Sequence, residues 1–72
     1  MNRYNFMVHC FAKSIYDEKK FPTMVPWSEK ISVLGKHETH GREVARRFLK
    51  DSLRNNDMYL ETILTIEEYN VG

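Results

Sequence analysis

The order of hydrophobic patterns along the chain predicts an α+β fold: a three-stranded antiparallel sheet of ββαβ order with one amphipathic helix packed on one face. Three observations predict it. Apolar residues alternate with a period of two from Tyr4 to Lys13, helical spacing appears after Gly35, and a run rich in β-branched and aromatic residues extends from Met58 to Tyr69.

In the first strand Tyr4, Phe6, Val8, Cys10 and Ala12 share one face, and Asn5, Met7, His9, Phe11 and Lys13 share the other. Met7 and Phe11 make that second face only partly polar. Residues 17–28 open with charges and contain Pro22 and Pro26, each of which lacks a ladder donor, so they read as a long loop. The second strand is expected at Lys30–Leu34, with Ile31 and Val33 inward and Gly35 ending it.

Thr39 is the expected N-cap of a helix over residues 40–54, with Val44, Ala45, Phe48, Leu49 and Leu53 on its apolar stripe. Glu43 with Arg47, and Arg47 with Asp51, stand at i,i+4 spacing suited to ion pairs. Asn55 and Asn56 tolerate a left-handed cap and end the helix. In the third strand Met58, Leu60, Leu64 and Ile66 are expected on the helix side, and Tyr59, Ile63 and Tyr69 on the other. The expected core is Phe6, Val8, Ile31, Val33, Val44, Phe48, Leu49, Leu60 and Leu64.

Seventy-two residues allow one hydrophobic core, so residues 1–72 read as a single domain. An apolar fraction of 42% suits a packed chain over a disordered one. Cys10 is the single cysteine, which excludes an intrachain disulfide and makes the cytoplasm the expected compartment. No stretch approaches the roughly 20 apolar residues of a membrane span. The formal net charge is +1 but unevenly spread: residues 36–54 hold Lys36, Arg42, Arg46, Arg47, Lys50 and Arg54 against three acids, whereas residues 55–72 hold four acids and no base.

No pattern points to catalysis or to a cofactor. A zinc site would have to join His37 and His40 to His9 and Cys10 on the first strand, and core cysteine with loop histidines is the simpler reading. The serines at 14, 28, 32 and 52 stand apart from any nucleophile motif, and Gly35 to Gly41 lacks the spacing of a phosphate loop. Glu67 and Glu68 are adjacent on a strand and point to opposite faces, so they cannot flank one substrate.

Two surfaces stand out as partner sites. One is apolar, and is either the loop with Phe21, Met24 and Trp27 or the sheet face without a helix, where Met7, Phe11, Tyr59 and Ile63 are expected. Trp27 has a second reading, folding back to cap the core. The other is the cationic stripe Arg42, Arg46, Lys50 and Arg54 with Arg47 beside it, which reads as a solvated helix face or as a phosphate-contacting surface. A protein partner, or a second copy that compensates for the small core, is the preferred expectation; a nucleic acid is the alternative.

The long hairpin, charged amphipathic helix and terminal strand ending Ile66-Glu67-Glu68 resemble many small proteins encoded by bacteriophages and mobile elements. The resemblance spans about residues 4–69 and is one of architecture. It implies an accessory role, binding and modulating or inhibiting a host protein.

Overall fold

The computed structural model describes residues 1–70; Val71 and Gly72, the end of the expected 1–72 domain, lie outside the described residues. The elements follow as β1 (Asn2–Ser14), β2 (Val25–Gly35), α1 (Glu38–Asn55) and β3 (Met58–Glu68). The three strands form one antiparallel sheet in the order β2-β1-β3, with α1 on one face, which is the expected α+β architecture.

β1 is the centre of the sheet. Its alternation holds throughout: Phe6, Val8, Cys10 and Ala12 are buried, and with Ile31 and Val33 of β2 and Ala45, Leu49 and Leu53 of α1 they form the core. Complete burial of a leucine such as Leu49 or Leu53 stabilises the fold by about 1.5–3 kcal/mol. Tyr4, Trp27, Val44, Met58, Leu60, Ile63 and Ile66 pack around this cluster as half-buried residues.

β2 begins at Val25, five residues before the expected Lys30, and so includes Pro26 and Trp27. Pro26 is tolerated because β2 is an edge strand, where a missing donor can face outward. Trp27 pairs with Cys10 and lies on the helix side. There its indole N–H donates to Glu29 Oε1 at 3.2 Å, and the Ser52 hydroxyl of α1 donates to the same oxygen at 2.8 Å.

α1 starts at Glu38, capped by His37 and not by Thr39, which lies inside the first turn. His37 Nδ1 accepts from the His40 backbone N–H at 3.2 Å, and His40 Nδ1 accepts from the Lys36 backbone N–H at 2.9 Å. The left-handed residue after the helix is Asp57 (φ 58°), one position beyond Asn56, whose side-chain amide instead donates to the Ser52 carbonyl at 2.8 Å. Aspartate, like asparagine, tolerates this conformation. Helical ion pairs form between Glu38 and Arg42 (3.4 Å) and between Asp51 and Arg54 (3.8 Å); the expected pairs of Arg47 with Glu43 and Asp51 are not among those of the described residues. Phe48, expected in the core, is 51% exposed because the buried line runs Gly41, Ala45, Leu49, Leu53 and leaves Phe48 on its flank.

The largest departure is in β3. Leu60 pairs with Ala12, Ile63 with Cys10 and Ile66 with Val8, so two irregularities each insert an extra residue between inward-facing positions. The apolar face is therefore spaced by three, and Ile63 packs against the core while Leu64 turns away and is 56% exposed. A strict alternation had placed these two residues the other way round.

α1 packs most extensively against β2. The approach is closest where Gly35 meets Gly41: a Cβ on Gly35 would lie 2.7 Å from the Gly41 nitrogen, and one on Gly41 would lie 2.8 Å from the Tyr4 ring. Gly35→Ala presses on backbone and is expected to cost about 1–3 kcal/mol. Gly41→Ala presses on a side chain and regains about 1 kcal/mol of helix propensity, so it should cost clearly less. Urea denaturation of the two variants checks this order.

Candidate interaction surfaces

The sheet face opposite the helix is built from Met7, His9, Phe11 and Lys13 of the central strand and their neighbours. It is not bare. Arg3 donates to the Ser32 hydroxyl at 3.0 Å, His9 Nδ1 lies 2.7 Å from the Ser28 hydroxyl, and Lys13 pairs with Glu61 at 3.2 Å. The Lys30 ammonium sits 5.6 Å from the centre of the Tyr69 ring. Lys30 is the neighbour of Met7 on β2, so this contact spans the central strand over it. Met7 and Phe11 are half-buried among these pairs, Tyr59 is exposed, and Ile63 is on the opposite side altogether.

The β1–β2 connection exposes more apolar surface. Ile15, Tyr16, Phe21 and Met24 are all exposed, Phe21 at 83%. The segment is nonetheless fixed. Ile15 N–H donates to the Asp57 carbonyl at 3.0 Å, and the Asp17 carboxylate accepts from the backbone N–H groups of Lys19 (3.1 Å) and Thr23 (3.0 Å). These two hydrogen bonds hold the Asp17 carboxyl below its ordinary pKa. Phe21 stands between the residues so clamped, with the Lys20 ammonium 5.8 Å from its ring centre.

The cationic stripe divides along its length. Arg42 is bound within the fold, donating to the Ile66 carbonyl, pairing with Glu38 and lying 5.2 Å from the Phe6 ring centre. Arg46, Arg47, Lys50 and Arg54 are exposed, and among the described residues only Arg54 makes an ion pair. Toward its C-terminal end the helix stands away from β3, leaving a cleft of about 350 Å³ lined by Ile15, Lys50, Arg54, Met58, Tyr59 and Leu60.

His37 and His40 are occupied as helix-capping acceptors, His9 lies on the far sheet face, and Cys10 is buried. Burial, and then the neighbouring Glu29 charge, push the Cys10 thiol up from its ordinary pKa, so it stays protonated. Among the described residues no three His, Cys, Asp or Glu side chains come together to hold a metal ion, and no helix is long and apolar enough to cross a membrane. The sequence pattern identified the apolar loop and the cations; it missed the Asp17 clamp and the cleft, which arise from tertiary placement. Comparison with known proteins finds no family model, curated relative or solved structure that matches the chain.

Because the Asp17 bonds are made only in the folded loop, their stabilisation is present above the ordinary carboxylate value of about 3.9 and is lost as pH falls through the depressed folded value. The amide resonances of Lys19 and Thr23 should therefore titrate together with a midpoint below that of an unperturbed aspartate. A midpoint at the ordinary value, or independent titration of the two amides, would contradict the clamp.

Proposed function

We propose that the chain is a non-catalytic protein-interaction module whose contact surface is the apolar β1–β2 loop, centred on Phe21 and Met24 with Ile15 and Tyr16 beside them. The observation behind this reading is the 83% exposure of Phe21 on a loop that Asp17 holds in one shape. A large apolar side chain in water costs free energy of hydration, and a pre-ordered loop loses little entropy when a partner covers it. Trp27 supports the loop from inside, through its packing on the core and its bond to Glu29. An accessory protein that binds and inhibits a larger host protein in the cytoplasm would use such a surface.

The exposed Arg46, Arg47, Lys50 and Arg54 support a second reading, in which the helix contacts nucleic-acid phosphates. The apolar loop has no role in that reading, which is why the protein-partner reading is preferred.

Affinity capture from the native cell separates the two. Phe21→Ala combined with Met24→Ala should abolish recovery of the bound protein while leaving the melting temperature within a few degrees of the parent, since exposed side chains contribute little to folding. Reversal of Arg46 and Arg47 to glutamate should leave recovery intact. Loss of capture on charge reversal alone, with binding that falls steeply as salt rises, would favour the nucleic-acid reading instead.

A further inference from the structure

β3 is an edge strand of 11 residues, and among the described residues nothing pairs with its outer side. Unpaired edges of this length invite another strand, and proteins protect them with charges and bulges. β3 carries both, but in an arrangement with a particular symmetry. Its helix-side positions, read from the β1 residues they oppose, are Met58, Leu60, Ile63, Ile66 and Glu68. The intervals run two, three, three, two, the same in either direction from Ile63. The extra residues that create the two three-residue intervals are Glu61 and Leu64, one in each interval beside Ile63.

We propose that β3 pairs antiparallel with β3 of a second copy about a two-fold axis through Ile63, joining two sheets into one of six strands with both helices on the same face. In that register Ile63 opposes Ile63, Leu60 opposes Ile66, and Met58 opposes Glu68 of the other copy. Every helix-side residue meets a helix-side residue, and a one-residue slip would end this match. No acid opposes an acid: Glu61 meets Thr65, Glu67 meets Tyr59, and Asp57 meets Tyr69. Centring the axis on Leu64 would instead set Glu61 against Glu67, twice.

Charge selects the same register. The beginning of β3 adjoins Lys50 and Arg54 across the cleft that Met58 helps to line. The end of β3 carries Glu67 and Glu68, with Glu68 on the helix side. Antiparallel pairing lays the acidic end of each strand beside the basic end of the other, which makes the surface complementary to itself. The half-buried Leu60, Ile63 and Ile66 would be covered from the side that α1 leaves open. The interface borders the loop surface at Ile15 but does not include Phe21 or Met24, so the variants that test each surface are distinct.

The test is a charge swap on the full chain, followed by sedimentation equilibrium. The parent should dimerise in the micromolar range. Glu68→Lys and Lys50→Glu should each weaken dimerisation by about tenfold, because each contact occurs twice in an isologous interface and reversal turns attraction into repulsion. The double variant Lys50→Glu/Glu68→Lys should recover most of the parental affinity. Both side-chain changes lie at exposed positions, and circular dichroism should show the parental fold in all three variants. A parent that stays monomeric at about 100 μM, in a range where even weak complexes form, would overturn the proposal. So would a dimer indifferent to both single reversals, or a double variant no better than the singles.

Discussion

A single helix has to shield a three-stranded sheet, and the position it takes decides the condition of every other surface. Strands lie about 4.8 Å apart and a helix with its side chains is about 10 Å across, so one helix covers roughly two strands well. The glycine pair Gly35 and Gly41 lets the start of α1 lie directly on the end of β2. With the helix held on that side, Phe6, Val8, Cys10 and Ala12 of β1 and Ile31 and Val33 of β2 are buried, whereas Met58, Leu60, Ile63 and Ile66 of β3 are only half-covered. Arg42 spans part of the gap, binding the Ile66 carbonyl from the helix. Beyond it the gap opens into the cleft beside Lys50 and Arg54.

That placement also explains why β3 departs from a simple alternation. A regular strand would point Leu64 inward and Ile63 outward. Two inserted residues bring Ile63 beneath the helix, so that Leu60, Ile63 and Ile66 all reach the core cluster. Bulges increase local twist, which helps an edge strand wrap toward a helix that is off-centre. The solvent side of the sheet is closed differently, by cross-strand pairs such as Lys13 with Glu61 and Lys30 with Tyr69, because α1 lies on the other face.

Much of this was legible in the sequence, for physical reasons that differ by element. β1 was clear because a central strand buried on one face keeps a strict period of two, from Phe6 to Ala12. α1 was clear because Ala45, Leu49 and Leu53 form a stripe that no strand could use. The early start of β2 was hidden by Pro26, whose acceptability depends on the strand being at an edge, a property of the whole sheet. The capping role of His37 is hidden by Thr39, the commoner residue type for that task. The bulges in β3 left a trace in the three-residue spacing of Leu60, Ile63 and Ile66, but Leu64 offered an equally apolar alternative. Of the candidate surfaces, the loop was evident from its composition, whereas the cleft and the tiling of the far face depend on which side chains the strand register brings together.

Comparing Ile63→Ala with Leu64→Ala by urea denaturation, at concentrations low enough to keep the chain monomeric, tests the phasing of β3 most directly. Ile63 packs beneath the helix, so its truncation should cost about 1–3 kcal/mol, below the full range for a completely buried isoleucine. Leu64 faces water, and its truncation should change stability by no more than about 0.5 kcal/mol. The reverse order would mean that β3 runs without its bulges and turns the other face to the core.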